Sequence, residues 1–440
     1  MKLDNDQAAT VPRPVGAAAS GSRETGPPLT PLPYAELNLR RLRAYLAVHE
    51  CGGVHRAAVK LYLSQSSLTR AVQELERQLG LALFERTRRG MIATDFGLIL
   101  AERARRAQAH LDAAEKEVLA AHAGAESATR SRGFGRKFTN RQLSALIAIA
   151  DHQTETGAAQ QLALSQPAVT LALRDLERLV GESLFVRTAR GMVATGFGEI
   201  LVWRAKLAFS EIAAASSDIA ARVGLITGRV VIGTLPLSGP LLASRAINLL
   251  LEEHPHLQVA VVDGTYQSLI QGLLCGDIDI IIGGLNHPAL GGVAQEHLFE
   301  DILSVVVRKG HPLLARKPLF LAELAAVEWV VPRQGTAARA YFDEILHSAG
   351  LALGVNPIES DGVLAVRALL IESDRLALIS RRQIHFEESA GLLAVLPVQL
   401  HGTALPVGIR TRADASLSAG VQALVRHLRA VSAELLKTKT

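Results

Sequence analysis

Residues 57–70 read AAVKLYLSQSSLTR, and residues 158–171 read AAQQLALSQPAVTL. The two stretches stand 101 residues apart, and the match continues without a gap from Leu42 and Leu143 through to Gly97 and Gly198. About half of the aligned positions are identical. A segment copied within one chain builds the same unit twice, although two copies do not make a solenoid. Duplication therefore organises the first half of the molecule.

Each copy reads as a helical unit followed by a hairpin. A first helix carries Leu42, Tyr45, Leu46 and Val48, or Leu143, Leu146, Ile147 and Ile149, at helical spacing. The alanine pairs Ala57-Ala58 and Ala158-Ala159 give a short second helix a surface that another helix can approach closely. After a tight turn, Ser64 and Ser165 are suited to cap a third helix. Pro167 fits its first turn, where the missing N–H costs little. Gly80 and Gly181 can end that helix in a left-handed conformation. FERTRRGM at 84–91 and FVRTARGM at 185–192 then predict two short strands around a turn. Helix, turn, helix and a basic hairpin predict a winged helix-turn-helix, with the third helix in the major groove and the hairpin along the backbone or minor groove. Long Ala- and Leu-rich helices follow at about 96–123 and 197–222. The first has apolar positions at Ile99, Leu100, Ala104, Leu111, Ala114 and Val118, and such a stripe needs a partner. The stretch Gly124 to Arg136 reads as a flexible connector.

Ala-Ala-x-x-Leu, Leu-x-Leu-Ser-Gln-Pro-Ala-Val-Thr, Leu-Glu-x-x-x-Gly, Leu-Phe-x-Arg-Thr and Ala-Thr-x-x-Gly together resemble the N-terminal domain of LysR-type transcriptional regulators. The second copy is the closer match, because the first has Ser64-Gln65-Ser66-Ser67 where the proline would fall. Two such domains in one chain depart from the usual single one and resemble a minority branch with a duplicated helix-turn-helix. In that family the long linker helix mediates dimerisation. Two of them here imply either an intrachain pair that mimics the dimer or an exchange between chains.

Charge separates the copies. From Asn38 to Arg106 there are 13 Lys/Arg against 6 Asp/Glu; from Phe138 to Ala208 there are 7 against 6. Phosphate contacts supply most sequence-independent affinity, so the first copy has the larger electrostatic footprint. Gln65, Ser66, Thr69 and Arg70 occupy the leading turns of its third helix, where Gln can pair with adenine and Arg with guanine. Arg86, Arg88 and Arg89 make its hairpin basic. The second copy offers Gln166, Pro167, Thr170, Arg174, Arg187 and Arg190, with Leu171 where the first has Arg70. The alternative is a degenerate domain kept for dimerisation or packing, and the first copy is the expected essential reader.

From Arg229 strands and helices alternate: Val230–Thr234, a helix to Glu253, Leu257–Val262, a helix over 265–275, then Asp277–Ile282. A second set includes Leu303–Val307, Trp329–Val331, a helix after Thr336, Leu376–Ser380, Val407–Arg410 and a last helix to Leu436. The pattern predicts mostly parallel sheets in two α/β lobes joined by crossing strands. It resembles the periplasmic-binding-protein-like effector domain of the same family. Ligands of open α/β sheets bind beyond the carboxyl ends of strands, where helix N-termini favour anions. Thr234, Ser238, Thr265, Gln334 and Thr336 lie at such junctions and are the candidate effector contacts, for a carboxylate or hydroxyl-rich small molecule. Serines and threonines at helix starts equally often serve as caps alone. Asp277 and Asp279 read as structural, and His254 and His256 as part of a turn rather than a metal site.

Hydrophobic residues make up 49% of the 440 and charged residues 20%, which is globular composition, and the net charge is +5. Cys51 and Cys275 fit neither a disulfide framework nor a zinc spacing. No nucleophile elbow, phosphate-binding glycine loop, zinc-protease helix or dinucleotide fingerprint is present, so no catalytic residue, metal or cofactor is expected. No apolar run reaches about 18 residues, and the first 33 lack an apolar core of signal-peptide type.

The expected organisation is a disordered tail over 1–33, a winged helix-turn-helix over 34–95, a linker over 96–136, a second winged helix-turn-helix over 137–196, a linker helix over 197–228 and an effector domain over 229–436. The expected protein is a cytoplasmic, homo-oligomeric (dimeric or tetrameric) regulator of double-stranded DNA. The alternatives are an enzyme with binding-protein-like lobes and a DNA-architectural protein with an empty cleft.

Overall fold

The computed structural model describes residues 37–87, 90–121, 133–235, 239–285, 290–316, 318–334, 336–353, 357–398 and 400–437. The expected tail at 1–33 lies outside them. The first copy folds as α1 (Leu39–Cys51), α2 (Val54–Leu61), α3 (Gln65–Leu79), a hairpin of β1 (Phe84–Thr87) and β2 (Gly90–Ala93), and the long α4 (Asp95–Ala121). The second repeats it as α5 (Asn140–His152), α6 (Glu155–Gln161), α7 (Gln166–Val180), β3 (Phe185–Thr188), β4 (Gly191–Ala194) and α8 (Gly196–Arg222).

The repeated sequence makes repeated contacts. Glu76 Oε1 accepts from Leu83 N at 2.8 Å, and Glu177 Oε1 from Leu184 N at 2.9 Å. A Cβ on Gly97 would overlap the Leu83 carbonyl, and one on Gly198 the Leu184 carbonyl, so each linker helix starts hard against the segment entering its hairpin. Ser64 caps α3 by accepting from Ser67 N at 3.2 Å. Ser165 stands at the same place on α7 without a side-chain bond to the helix.

The left-handed residue that ends the first helix is Gly52 (φ 64°) in one copy but Gln153 (φ 56°) in the other. A β-carbon in that region costs about 1 kcal/mol. Gln153→Gly is therefore expected to stabilise the chain by about that amount, read as a higher denaturant midpoint with unchanged slope. No change in midpoint would mean that the Gln153 side chain makes up for the strain.

The two linker helices pack antiparallel within one chain. Asp95 at the start of α4 pairs with Arg222 at the end of α8 at 2.6 Å, and Arg204 near the start of α8 meets Glu117 near the end of α4. One apolar core runs through both copies and includes Leu68, Leu100, Leu111, Leu146, Leu201 and Ile212.

The expected flexible connector needs correction at its end. Residues 122–132 lie outside the described residues, but Phe134–Arg136 form a 3-10 turn with Phe134 buried. Its ring lies 5.7 Å from that of Phe138, and Glu115 accepts from Gly135 N at 2.9 Å. Two aromatic rings supply the apolar area that a Gly- and Ser-rich reading overlooks.

The remainder comprises β5 (Gly228–Thr234), α9 (Gly239–Glu253), β6 (Leu257–Asp263), α10 (Tyr266–Cys275), β7 (Ile280–Gly284), β8 (Val293–Arg308), α11 (Leu321–Ala325), β9 (Val330–Val331), α12 (Ala337–Ser348), β10 (Ile358–Glu359), α13 (Val363–Ile371), β11 (Ala377–Ser380), α14 (His385–Ser389), β12 (Leu393–Val395), β13 (Ala404–Arg412) and α15 (Ala419–Lys437). The expectation of mostly parallel sheets is corrected. In the main sheet, ordered β11-β8-β13-β7-β5-β6, only β6, β5 and β7 run parallel. β13 runs antiparallel to β7 and β8, and β8 antiparallel to β11 and β12. The cause is β8, a 16-residue strand that spans both lobes, with β13 returning beside it. The first lobe has a core on each sheet face: Ile282 and Ile409 with α9 and α15 on one, Ile281 with α10 on the other. The second lobe buries Trp329, Phe342 and Leu376.

Candidate nucleic-acid interface and effector cleft

On α3, Gln65, Ser66 and Arg70 are exposed and Thr69 is half-buried, as suits a helix whose other face holds Leu68, Val72 and Leu75 in the core. The Gln65 amide is not loose. Its Nε2 lies 2.8 Å from Nδ1 of His55 on α2, a residue the sequence reading did not single out. On α7, Gln166, Pro167 and Arg174 are exposed, and the half-buried Thr170 donates its hydroxyl to the Gln166 carbonyl at 3.1 Å. Leu171, at the place of Arg70, is 55% exposed. In the second hairpin Arg190 is exposed, while Arg187 reaches back to the buried Glu155 at 3.1 Å. Arg88, Arg89 and the side chain of Arg86 lie outside the described residues.

The copies are related by reciprocal ion pairs. Arg103 on α4 holds Asp218 on α8 at 2.7 Å, and Arg204 on α8 holds Glu117 on α4. Adding the 101-residue offset to Arg103 gives Arg204, and adding it to Glu117 gives Asp218. Residue i of one copy meets residue j of the other, and j meets i, which is the signature of an isologous two-fold contact. The N-termini of α1 and α5 also meet, with Asn140 accepting from Leu39 N at 2.8 Å and donating to the Leu37 carbonyl at 3.1 Å. Sequence spacing could have found the reciprocal pairs, because both members recur at the repeat offset.

That symmetry breaks where the effector domain attaches. Arg103 also binds the buried Glu211 at 2.7 Å and the carbonyls of Ser416 and Leu417, on the segment entering α15. Burial alone would lower the guanidinium pKa; its bonds to Glu211 and Asp218 outweigh that and hold it above its ordinary value. Asp218 in turn accepts from Ala419 N at 2.9 Å, at the positive end of α15. Trp203 donates to the Leu274 carbonyl at 2.8 Å, and Lys206 bridges Asp151 and Asp277 at 3.0 and 2.9 Å. At the repeat offset these last two replace Glu102 and Arg105.

Of the candidate effector contacts, Thr234, Thr265 and Thr336 lie at strand-to-helix junctions with their hydroxyl donors committed. Thr234 is buried and donates to the Asp263 carboxylate. Thr265 caps α10, accepting from Ser268 N at 3.2 Å and donating to Ser268 Oγ at 3.1 Å. Thr336 caps α12, accepting from Arg339 N at 3.1 Å and donating to the Arg333 carbonyl at 2.7 Å. Gln334 is exposed, and its N–H points to Glu359 at 3.4 Å. Ser238 lies outside the described residues. Asp279 is structural, accepting from Val231 N at 2.8 Å. Among the described residues no group of His, Cys, Asp and Glu is arranged to hold a metal, and no helix is long and apolar enough to cross a membrane.

Two family profiles match the chain. "Bacterial regulatory helix-turn-helix protein, lysR family" matches residues 39–98 and again 140–199, and "LysR substrate binding domain" matches 224–433. The HTH-type transcriptional regulator GalR of Pseudomonas putida is 34% identical over 398 residues, which covers 90% of this chain and 98% of that protein. An alignment of that extent has to include both repeats. An uncharacterized HTH-type transcriptional regulator of Escherichia coli, YdcI, is 31% identical over 67% of this chain and 96% of its own length. In fold, a full-length OxyR variant from Pseudomonas aeruginosa is similar, with a TM-score of 0.50 at 18% identity, over 66% of this chain and 97% of that one.

Proposed function

Because this chain belongs to the LysR family of transcriptional regulators, with a helix-turn-helix region and a two-lobed α/β effector-binding domain, we propose that its two helical repeats are tandem winged helix-turn-helix domains forming a complete DNA-reading head within one chain. The single observation that carries this reading is the reciprocal pairing of Arg103 with Asp218 and Arg204 with Glu117. It makes the intrachain packing of α4 and α8 equivalent to a dimer interface.

In the first copy Gln65, Ser66, Thr69 and Arg70 face the major groove, and Arg86, Arg88 and Arg89 follow the backbone. In the second, Gln166, Pro167, Thr170, Arg174, Arg187 and Arg190 make the weaker contact. The domain limits are those given by the sequence, 34–95, 137–196 and 229–436, with linkers between. A small carboxylate or hydroxyl-rich effector enters between periplasmic-binding-protein-like lobes near Thr234, Ser238, Thr265, Gln334 and Thr336. It shifts the head only to the extent that it binds one lobe arrangement better than the other. The protein acts in the cytoplasm, as a regulator rather than an enzyme, and further oligomerisation uses surfaces other than the linker helices.

Footprinting and mass measurement on the DNA upstream of the protein's own gene test this. The expected result is one chain per pair of half-sites. A variant with Gln65, Thr69 and Arg70 changed to Ala loses one half of the protected region, and a variant with Gln166 and Thr170 changed to Ala loses the other. One half-site per chain would refute the tandem head, and no protection by any protein would refute DNA reading at this locus.

A further inference from the structure

The Gln65 amide and the His55 ring are both exposed, yet they are joined: Nε2 of Gln65 lies 2.8 Å from Nδ1 of His55. An amide nitrogen can only donate, so Nδ1 accepts and the ring carries its proton on Nε2. His55 is the second residue of α2 and Gln65 the first of α3, so the bond spans the turn between the two helices. It is not what holds them together. Ala57 and Ala58 of α2 and Leu68 of α3 already lie in the shared core, and a hydrogen bond made in water adds little to folding. Nor does the start of α3 depend on it, because Ser64 is the cap, with its hydroxyl engaged by those of Ser66 and Ser67 at 3.0 and 2.8 Å. The second copy has Thr156 at the place of His55, and the side chain that bonds Gln166 there is Thr170, through the backbone carbonyl at 3.1 Å.

What the bond does change is the pattern that Gln65 can show to a base. A glutamine amide has an oxygen that accepts and a nitrogen with two N–H donors. Its last torsion is soft, so an unheld amide turns to offer either one N–H beside the oxygen or both N–H groups. The first pattern complements adenine, which presents an acceptor at N7 and a donor at N6. The second suits guanine, whose N7 and O6 both accept. With one N–H given to His55, Gln65 keeps one N–H and the oxygen. A guanine would then set its O6 against Oε1, acceptor against acceptor, where water has been displaced and an unmade hydrogen bond is costly.

We propose that His55 is a specificity-determining positioning residue, which holds one N–H of Gln65 and so fixes the amide in the orientation that reads adenine and rejects guanine. The Nε2–H of the ring is then directed to a phosphate oxygen, since the helix before the recognition helix crosses the DNA backbone in helix-turn-helix units. A backbone contact thereby sets the geometry of a base contact. The inference rests on the reading of α3 as the helix that enters the major groove, and it makes the first copy the more selective of two units that share the same glutamine.

The test is selection of bound DNA from a randomised double-stranded library by the full chain, at one pH and one salt concentration. Wild type, Gln65→Ala, His55→Ala and His55→Asn are compared by sequencing what each retains. The position at which Gln65→Ala loses a preference for adenine is the base that Gln65 reads. His55→Ala is expected to lower the adenine-to-guanine ratio at that position by about fivefold or more, the lower end of what one bidentate pair contributes, and to leave preferences elsewhere as in wild type. His55→Asn places its Oδ1 where the ring has Nδ1, so it keeps an acceptor for the amide and is expected to restore most of the ratio.

Both residues are exposed, so all three variants are expected to melt with wild type. A ratio unchanged in His55→Ala would overturn the proposal, as would preferences that flatten equally at every position together with a lower Tm, the mark of a brace between helices. His55→Asn no better than His55→Ala would overturn it too, and so would a Gln65 position at which wild type prefers guanine. The two readings fail differently. A wild type that selects no sequence refutes α3 as a groove-reading helix, whereas a wild type whose selected sequence His55→Ala selects equally well refutes the role of His55 alone.

Discussion

Arg103→Met is expected to destabilise the chain by about 3–5 kcal/mol, whereas Arg204→Met at the equivalent place in the repeat costs about 1 kcal/mol or less. The two side chains make the same contact across the pseudo-two-fold, but their surroundings differ. Arg103 and Glu211 are each 4% exposed, while Arg204 is 17% and Glu117 35% exposed. Removing Arg103 leaves Glu211 with Arg106 alone and takes the donors from two carbonyls of the segment before α15. Breaking one side of a buried pair strands the other charge, which is why the cost exceeds anything the pair itself contributes. Removing Arg204 strands a Glu117 that water can reach. Urea titrations of the two variants check this, and equal losses would mean that the Arg103 cluster is hydrated rather than closed. Because Arg103 ties both linker helices to the effector domain, its loss should also weaken the dependence of DNA affinity on effector more than it weakens DNA affinity itself.

Arg70→Ala is expected to reduce operator affinity about ten- to a hundredfold, the range of one good bidentate base contact, and Arg174→Ala to reduce it much less. Arg70 is exposed on the leading part of α3, in the copy with 13 basic against 6 acidic residues, on the helix that opens with the Gln65 amide held by His55. The second copy has Leu171 there, a side chain that can meet a thymine methyl but no guanine edge. Gel-shift titrations at fixed salt decide the ranking, and equal losses would contradict it. Repeating them on unrelated DNA separates the two ways in which Arg70 can act. A base contact is lost mainly on the operator, whereas a phosphate contact is lost on both DNAs and lowers the salt slope by about one.

Much of the head was legible because its signals are local. A serine before a helix, a glycine after it and apolar residues at three- and four-residue steps need only a few neighbours to act, so α3 lies between the expected Ser64 and Gly80, and α4 falls within two residues of the expected 96–123. The effector domain was read less well for the same reason. The first ten residues of β8 carry Gln295, Glu296, His297, Glu300 and Asp301, a polar alternation that resembles a loop. It is a strand because β13 pairs along its length from Ala404 to Arg412, and that partner lies about a hundred residues away in sequence. His55 was passed over because a histidine on a short helix says nothing of a glutamine on the next until the turn brings them together.

The chain alone established the duplication, the family and the imbalance of charge between the copies, since these depend on residue identity and spacing. It left open whether the two linker helices would pair with each other or with those of another chain, because an apolar stripe specifies that it must be covered and not by what. Tertiary structure decided that, through reciprocal ion pairs at the repeat offset and one core shared by both copies. It also decided which arginines are solvated and which are enclosed: Arg70, Arg103 and Arg410 are alike in sequence, and only packing made one exposed, one paired and one buried without an acceptor.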